Sequence, residues 1–239
     1  MSSESSLVLP RDRTVHIAVD PLRYFCGEDG EWAEHPDVGV NHMKQLIAHP
    51  AIAEANIRRW NGHIKQLIVQ SLYYPGQWMI KTPNMPTMCA EIDDPQREIL
   101  LPHEVIAMAD VVSKNQNSVF TSPEILEHLQ QAFSDFQIPE EALEQAMEEA
   151  AAGKRDEDTV VNIILHGVTG TSCISESACA AFSPLFHDLR LNFRLVIAED
   201  SIASRDSSSA KHQAIVTNFA DEENLGIVVV PEAKDISFR

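Results

Sequence analysis

The sequence predicts an α/β fold of three layers, a mostly parallel sheet with helices on both faces. Short apolar runs rich in β-branched residues alternate with helical patterns along the chain. The run VVNIIL at residues 160–165 is apolar at nearly every position, which is typical of a strand buried on both faces of a parallel sheet. A length of 239 residues fits one large α/β domain better than two small ones, so residues 1–239 are treated as a single domain.

Net charge, cysteine spacing and the lack of long apolar runs indicate which partners and which cellular location to expect. The formal net charge is -18, from 18 Lys+Arg against 36 Asp+Glu, which argues against nucleic acid and against an anionic membrane surface. The four cysteines form no CxxC pair, so neither a zinc knuckle nor a disulfide framework is predicted. The first residues lack the apolar core of a signal peptide, and no apolar run approaches the ~18 residues of a membrane span. We therefore expect a cytoplasmic protein, with secretion without a leader as the open alternative.

The first predicted strand ends in a carboxylate. Residues 1–13 are predicted to form a polar arm, and residues 14–20 (TVHIAVD) a strand that Pro21 ends. Because the carboxyl ends of strands line the ligand crevice in open α/β sheets, Asp20 stands where a catalytic acid or base would stand. The alternative is an aspartate that caps a turn before Pro21.

A helical pattern follows over residues 40–60, and Pro50 is expected to kink or divide that helix. Four histidines fall at multiples of seven residues around it, a spacing of about 10 Å per step that is too long for a shared metal. We predict that they form a solvated or half-buried face. The four are His35, His42, His49 and His63.

Residues 66–72 (QLIVQSL) are predicted as the second strand, followed by an aromatic loop that contains Tyr73 and Trp78. These aromatic side chains could form the wall of a small-molecule pocket, or they could cover the core beneath a loop. Residues 79–109 show little periodicity and are predicted to be a long loop region, packed over the site or against a partner.

A third short strand is predicted at residues 109–113, and Lys114 follows it directly. Thr121 or Ser122 then caps a helix that has Pro123 at its first position. Most lysines are solvated surface groups. A lysine at the carboxyl end of a strand, however, is more often part of the ligand crevice, so Lys114 is a candidate functional residue.

The second half of the chain contains the remaining elements. Residues 139–153 are predicted to form a strongly acidic helix within an acidic insert at 133–158, and a further helix is expected at about 208–220. The fifth and sixth strands are predicted at 193–198 and 225–230, and the polar turn after the fifth strand contains Arg205. No glycine-rich phosphate loop occurs in the sequence.

Cys173 lies after the central strand, beyond a turn of small residues and at the start of a helical pattern. The unpaired N–H groups of a first helical turn lower the pKa of a thiol and can hold an oxyanion. The alternative is a buried structural cysteine. Asp20, Lys114 and Cys173 nevertheless stand at the ends of three strands, and a carboxylate, an amine and a thiol are a workable set for nucleophilic acyl transfer.

At these residues the sequence resembles the isochorismatase-like cysteine hydrolases, a family of isochorismatases, nicotinamidases, N-carbamoylsarcosine amidohydrolases and related amidases. Asp20 with Phe25 looks like the opening motif of that family, and VVSKNQNSVFTSPEILEHL is similar to its lysine segment. GVTGTSCISESACAAF resembles its cysteine motif, and VIAEDSIASRD followed by His212 resembles the next strand and turn. The matches span residues 14–230 in the family's order.

The resemblance implies a three-layer Rossmann-like fold with a six-stranded parallel sheet, and a homo-oligomer that acts on a small molecule. It also implies a catalytic triad of Asp20, Lys114 and Cys173, and a cis peptide at Val168-Thr169 that directs the N–H groups of Thr169 and Cys173 into an oxyanion hole. Further side chains are candidates for binding the substrate. They are Phe25, Arg23, Tyr73, Trp78, Phe120 and Arg205.

Two departures from the family narrow the expected reaction. Nicotinamidases carry a metal site on an Asp-x-His arrangement after the second strand, where this chain reads QSLYYPGQW, so we expect no metal and no cofactor. The presence of Cys173 favours hydrolysis of an amide or ureide C–N bond. The alternatives are hydrolysis of the isochorismate vinyl ether, giving 2,3-dihydro-2,3-dihydroxybenzoate and pyruvate, and an inactive binding protein on the same fold.

Overall fold

The computed structural model describes residues 6–34, 38, 40–73, 93–134, 160–180, 193–204 and 227–239. The predicted helices at 139–153 and at about 208–220 lie outside these ranges, as does the acidic insert beyond residue 134. Within them, six parallel strands form one sheet in the order β4-β3-β2-β5-β6-β7, and two further strands form a small parallel pair. The predicted α/β architecture is therefore confirmed. The eight strands are β1 (Leu7–Leu9), β2 (Thr14–Val19), β3 (Lys65–Ser71), β4 (Asp110–Lys114), β5 (Val161–Val168), β6 (Phe193–Ala203), β7 (Ile227–Val230) and β8 (Ile236–Phe238).

Helices cover both faces of the large sheet. On one face α4 and α5 pack on alternate strand residues such as Ile17 and Val69, and on the other face α2 and α3 pack on Ala18 and Ile68. This separation follows from the side-chain alternation of strands, which sends successive residues of β2 to opposite faces. The helices are α1 (Arg23–Cys26), α2 (Val40–Trp60), α3 (His103–Ile106), α4 (Pro123–Ser134) and α5 (Ser175–Ala180).

Two predicted boundaries were wrong. The expected polar arm includes β1, which pairs in parallel with β8 and buries Leu9. Pro50 lies inside α2 and does not divide it, and the kink that was the other predicted effect stays a prediction. The third strand continues through Lys114, so this lysine is the last residue of β4 and not the first residue of the loop.

Gly167 adopts a backbone conformation that other residues avoid, with φ of 142° inside β5. A Cβ atom there would lie 2.8 Å from Cβ of Val19 and would also collide with the backbone of that residue. We expect Gly167→Ala to lower the free energy of unfolding by on the order of 3–5 kcal/mol, measured by urea denaturation. Gly62→Ala is the matched control, because Gly62 also has positive φ (73°) but a Cβ atom added to it would have no heavy atom within 4 Å. Equal losses in the two variants would contradict the steric explanation.

A cluster of buried imidazoles lies on the face of the sheet that α2 covers. His16 of β2 and His166 of β5 stack with ring centroids 4.6 Å apart, and His49 of α2 lies 5.9 Å from His166. All three side chains have no solvent exposure. The prediction of a solvated or half-buried histidine face is therefore wrong for His49.

Candidate active site

The side chains of Asp20, Lys114 and Cys173 meet at the carboxyl edge of the sheet. Lys114 Nζ lies 2.9 Å from Oδ2 of Asp20 and 3.5 Å from Sγ of Cys173. Asp20 and Lys114 are fully buried, and Cys173 is 4% exposed. The structure thus brings together the three residues that the sequence pointed to on separate strands, and it does so in a site screened from bulk water.

Asp20 directly follows β2 and has φ of 54°, in the left-handed region that few residues other than glycine adopt. Aspartate tolerates this conformation better than most side chains. The backbone N–H of Asp20 donates to the carbonyl oxygen of Val69 at 2.8 Å, which extends the pairing of β2 with β3 by one bond. The end of β2 is therefore fixed at a residue whose carboxylate lies inside the site.

Lys114 is held by several acceptors. Its Nζ donates to Oγ of Ser71 at 2.9 Å and to the carbonyl oxygen of Gln116 at 3.2 Å, in addition to its contacts with Asp20 and Cys173. Burial by itself would lower the pKa of Lys114, but the charges of Asp20 and Cys173 outweigh it and raise that pKa above its ordinary value. The ammonium is therefore charged at neutral pH.

Cys173 does not have the lowered pKa that its sequence position predicted. It lies within a π-helical turn, Gly170–Ile174, one turn before α5 begins. Burial raises the pKa of the Cys173 thiol above its ordinary value, and the ammonium of Lys114 offsets only part of that effect, while the nearby charge of Asp20 adds to it. The resting residue is therefore a thiol beside a carboxylate that can accept its proton.

The peptide bond between Val168 and Thr169 is cis, at the position where the family resemblance implies one. The backbone of Thr169 hydrogen-bonds to Cys173, an interaction that favours the thiolate and so lowers the pKa of Cys173. The carbonyl oxygen of Thr169 accepts from the N–H of Ile174 at 3.0 Å. The turn before the cysteine is thus folded around Thr169.

Aromatic side chains form an apolar cluster beside the triad. Phe25 and Tyr73, both predicted as substrate-binding residues, belong to one cluster with Trp32 and Val168. The rings of Phe25 and Trp32 meet edge to face at 4.7 Å. Phe120 belongs to the main core cluster, as Cys173 does, and is 1% exposed.

Arg23 does not lie free for a substrate carboxylate. Its NH1 nitrogen is 2.8 Å from Oδ1 of Asp29, and its NH2 nitrogen contacts Oε2 of Glu98. Both ends of the guanidinium are thus ion-paired within the protein, and the role of Arg23 in binding substrate stays a prediction. Trp78 and Arg205, the other two candidates from the loops, lie outside the described residues.

Several polar residues around the triad were not predicted from the sequence. Ser71 hydrogen-bonds to both Asp20 and Lys114, and a second chain runs from the hydroxyl of Tyr73 through Asn117 to the carboxylate of Glu176, with distances of 3.4 Å and 2.6 Å. Ser71 ends β3, so its position at a strand terminus was the available signal. Asn117 and Glu176 had no comparable signal, because each is one polar residue among several in its segment.

The segment after β3 does not fit a metal in the part that the structure describes. Ser71, Leu72 and Tyr73 follow one another there, and the ammonium of Lys114 lies 5.9 Å from the centroid of the buried Tyr73 ring. Within the described ranges, no group of three or more His, Cys, Asp or Glu side chains is arranged to hold a metal ion. A cavity of about 250 Å³ touches Lys114 from the side of the edge strand and includes neither Asp20 nor Cys173.

Among the helices that the structure describes, none is both long enough and apolar enough to span a bilayer.

The chain is similar to known proteins in its three-dimensional structure, but the sequence comparisons find no match. No protein-family model and no curated protein sequence matches the chain. A pyrazinamidase/nicotinamidase from Streptococcus mutans is similar in structure at 15% identity, with 91% of this chain and 99% of that chain covered and a TM-score of 0.59. An isochorismatase-like hydrolase from Alkaliphilus metalliredigens is similar at 14% identity, with 95% and 94% covered and a TM-score of 0.57.

A third solved structure, of a protein from L. infantum in complex with nicotinate, is similar at 14% identity, with 98% of this chain and 99% of that chain covered and a TM-score of 0.55. At these identities the similarity establishes a common fold. The chain therefore has the isochorismatase-like α/β fold that the sequence motifs predicted.

Proposed function

We propose that this protein is a cysteine hydrolase of the isochorismatase-like family that cleaves the C–N bond of a small, uncharged amide or ureide. The observation that carries the proposal is the buried contact of the Asp20–Lys114 salt bridge with Cys173. Burying such a pair costs several kcal/mol of desolvation per ion, so an ion pair beside a nucleophile is better explained by catalysis than by stability. The fold shared with a nicotinamidase and an isochorismatase-like hydrolase supports the same class of reaction.

The proposed reaction begins with transfer of the Cys173 thiol proton to the carboxylate of Asp20 as Sγ attacks the substrate carbonyl carbon. The oxyanion that forms accepts hydrogen bonds from the backbone N–H groups of Thr169 and Cys173. The C–N bond then breaks, and the leaving nitrogen takes the proton from Asp20. A water molecule, deprotonated by Asp20, hydrolyses the thioester and regenerates the thiol. Lys114 stabilises the negative charge on sulfur and on the carboxylate throughout.

We prefer an uncharged substrate over isochorismate because the basic side chains near the site are already paired with carboxylates of the protein. Isochorismate carries two carboxylates and would need cationic partners. Arg23 and Lys114, the basic site candidates that the structure describes, are both engaged with carboxylates of the protein. The side chains packed beside the site are instead apolar and aromatic, namely the buried cluster of Phe25, Trp32 and Tyr73, and such surroundings favour a flat and uncharged ligand over a dianion.

The test is a screen of purified protein against small amides and ureides, nicotinamide and isochorismate, with ammonia, amine or pyruvate release as readouts. We expect release of ammonia or an amine from at least one uncharged amide or ureide, and no pyruvate from isochorismate. Pyruvate release would overturn the assignment to C–N bonds. Complete inactivity over the panel, together with unchanged alkylation behaviour in the variants below, would favour a binding protein on this fold.

Alkylation of Cys173 by iodoacetamide gives a second test, because the charges of Asp20 and Lys114 act on the thiol in opposite directions. Asp20→Asn should lower the pKa of Cys173, since the carboxylate no longer opposes the thiolate and Lys114 is left without its partner. We expect alkylation at pH 7 to accelerate by about tenfold or more in Asp20→Asn, and to slow in Lys114→Met, while both variants lose turnover.

Peptide mass analysis of the labelled protein identifies Cys173, and the Cys173→Ala protein gives the background from the other cysteines. An alkylation rate that changes in the same direction in Asp20→Asn and Lys114→Met would argue against this electrostatic arrangement.

A further inference from the structure

Ser71 occupies the position between the carboxylate and the ammonium of the site. It is the last residue of β3, the strand that lies between β2 and β4 in the sheet. It is the register partner of Lys114 in the adjacent strand, and its side chain is fully buried. A buried hydroxyl needs hydrogen-bond partners. Two of the groups within reach of this one, Asp20 and Lys114, are charged, and the third is the side chain of Tyr73.

The hydrogen bonds of Ser71 have a fixed direction. An ammonium can only donate, so Oγ of Ser71 accepts from Lys114 Nζ at 2.9 Å. The single hydroxyl proton then goes to Oδ1 of Asp20, at 2.8 Å. Together with the direct contact between Lys114 Nζ and Oδ2 of Asp20, these bonds close a ring of three side chains.

Within this ring the two carboxylate oxygens of Asp20 have different partners. Oδ1 is occupied by the Ser71 hydroxyl. Oδ2 faces the ammonium at 2.9 Å as an ion pair, and the Asp20 side chain also hydrogen-bonds with Cys173. Oδ2 is therefore the carboxylate oxygen turned toward the ammonium, and that ammonium also contacts Cys173 Sγ.

We infer that Ser71 is a positioning residue that holds Oδ1 of Asp20, so that Oδ2 is kept as the proton acceptor for the Cys173 thiol and Lys114 is kept in contact with the sulfur. This inference rests on the proposed function. In the step concerned, the Sγ–H bond breaks, an Oδ2–H bond forms, and the electron pair remains on sulfur for attack on the carbonyl carbon. Ser71 touches neither substrate nor sulfur in this step and acts only through its two charged neighbours.

Removal of the hydroxyl should release the carboxylate. In Ser71→Ala, Oδ1 loses its donor and Lys114 loses an acceptor, so the freed carboxylate is drawn toward the ammonium and the ammonium away from Sγ. We expect kcat/KM to fall by about 10- to 100-fold, the size of effect that follows from losing a hydrogen bond to a charged group. The midpoint of the pH profile for alkylation of Cys173 should move upward by about half a unit or more.

The test compares Ser71→Ala, Ser71→Thr and Ser201→Ala for thermal stability, kcat/KM and the alkylation pH profile. Ser71→Thr keeps the hydroxyl and should restore both the rate and the profile. Ser201→Ala is the matched control, because Ser201 is an equally buried serine at the end of β6 that bonds Asn56 and the carboxylate of Asp200, each at 2.9 Å. It should lose stability without moving the alkylation midpoint.

An unchanged midpoint in Ser71→Ala would overturn the positioning role, even if stability falls as much as in Ser201→Ala. The alkylation profile of Asp20→Asn separates this failure from a failure of the proposed function. If Asp20→Asn shifts the profile and Ser71→Ala does not, only the role of Ser71 is wrong. If neither variant shifts it, the carboxylate does not govern the thiol, and the proposed function and the role of Ser71 are both wrong.

Discussion

The Cys173→Ala protein is expected to lose amide hydrolysis by about 10³- to 10⁶-fold while keeping its fold, as is found when a nucleophile is removed from an acyl-transfer site. The side chain is 4% exposed and packs in the main core with Ile174 and Ala178. Replacing a thiol by a methyl group leaves only a small void there, so we expect a loss of about 1 kcal/mol in stability. The measurement is kcat/KM on the best substrate from the screen, with urea denaturation as the control for folding.

The same variant distinguishes the two bond types. Attack by sulfur is needed to cleave an amide, whereas a vinyl ether can be hydrolysed by protonation and addition of water. Retained pyruvate release from isochorismate in the Cys173→Ala protein would mean that Asp20 acts as an acid without a nucleophile. Retained amide hydrolysis would rule out Cys173 as the nucleophile.

Lowering the pH from 7 to 4 is expected to destabilise the protein steeply because of the buried histidine cluster. Burial lowers the pKa of His16 to about 4 and that of His49 to about 4, and it lowers the pKa of His166 well below 6.5. The folded-state pKa is below the unfolded value, so each contribution to stability is complete above about pH 6.5 and is lost as the pH falls toward 4. Each histidine with a folded pKa of about 4 should account for about 3 kcal/mol over this window.

The two histidines with a folded pKa of about 4 together account for about 6 kcal/mol, which is of the order of the whole stability of an ordinary domain, so acid unfolding is expected between about pH 6 and pH 4. The free energy of unfolding measured by urea titration at several pH values tests this.

His49→Gln should reduce the slope of the free energy of unfolding against pH by about 1.4 kcal/mol per pH unit in that window, because one fewer proton is taken up on unfolding. His103→Gln, at an exposed position on α3, is the control and should leave the slope unchanged. An equal slope in His49→Gln and the unsubstituted protein would mean that the buried cluster does not cause the acid sensitivity.

The sequence was sufficient to predict the architecture and the meeting of Asp20, Lys114 and Cys173 at one edge of the sheet, because both depend on where the strands lie and end. A strand buried on both faces is recognisable from its unbroken apolar run, and parallel strands place their carboxyl ends along one edge. Asp20, Lys114 and Cys173 follow directly from that rule. The lengths of the strands were harder to predict from sequence. For example, β6 continues to Ala203 through the polar residues Glu199 and Asp200, which in the sequence suggested the end of the strand.

The environment of each group could not be predicted from sequence. The pKa of Cys173 depends on burial and on two charges supplied by residues more than 50 positions away, and the position beside a helix suggested the opposite shift. Arg23 was a candidate to bind a substrate carboxylate, but its partners Asp29 and Glu98 come from segments with no periodic pattern. His49 was assigned to a solvated or half-buried face because its periodicity was considered along one helix, without the strands beneath it.

The order of the strands has a consequence for how the protein acquires its reactivity. Lys114, Ser71 and Asp20 end β4, β3 and β2, Cys173 follows β5, and these four strands are consecutive neighbours in the sheet. The contacts between these residues join positions 43, 51 and 59 apart in the chain. No fragment of the sheet that lacks one of these strands can hold the complete set, so the reactive thiol comes into being only when long-range pairing is finished. Such pairing is slow relative to local structure. The rate at which Cys173 gains its characteristic alkylation behaviour during refolding would therefore measure when the last strand docks, which makes Cys173 a reporter of completed folding.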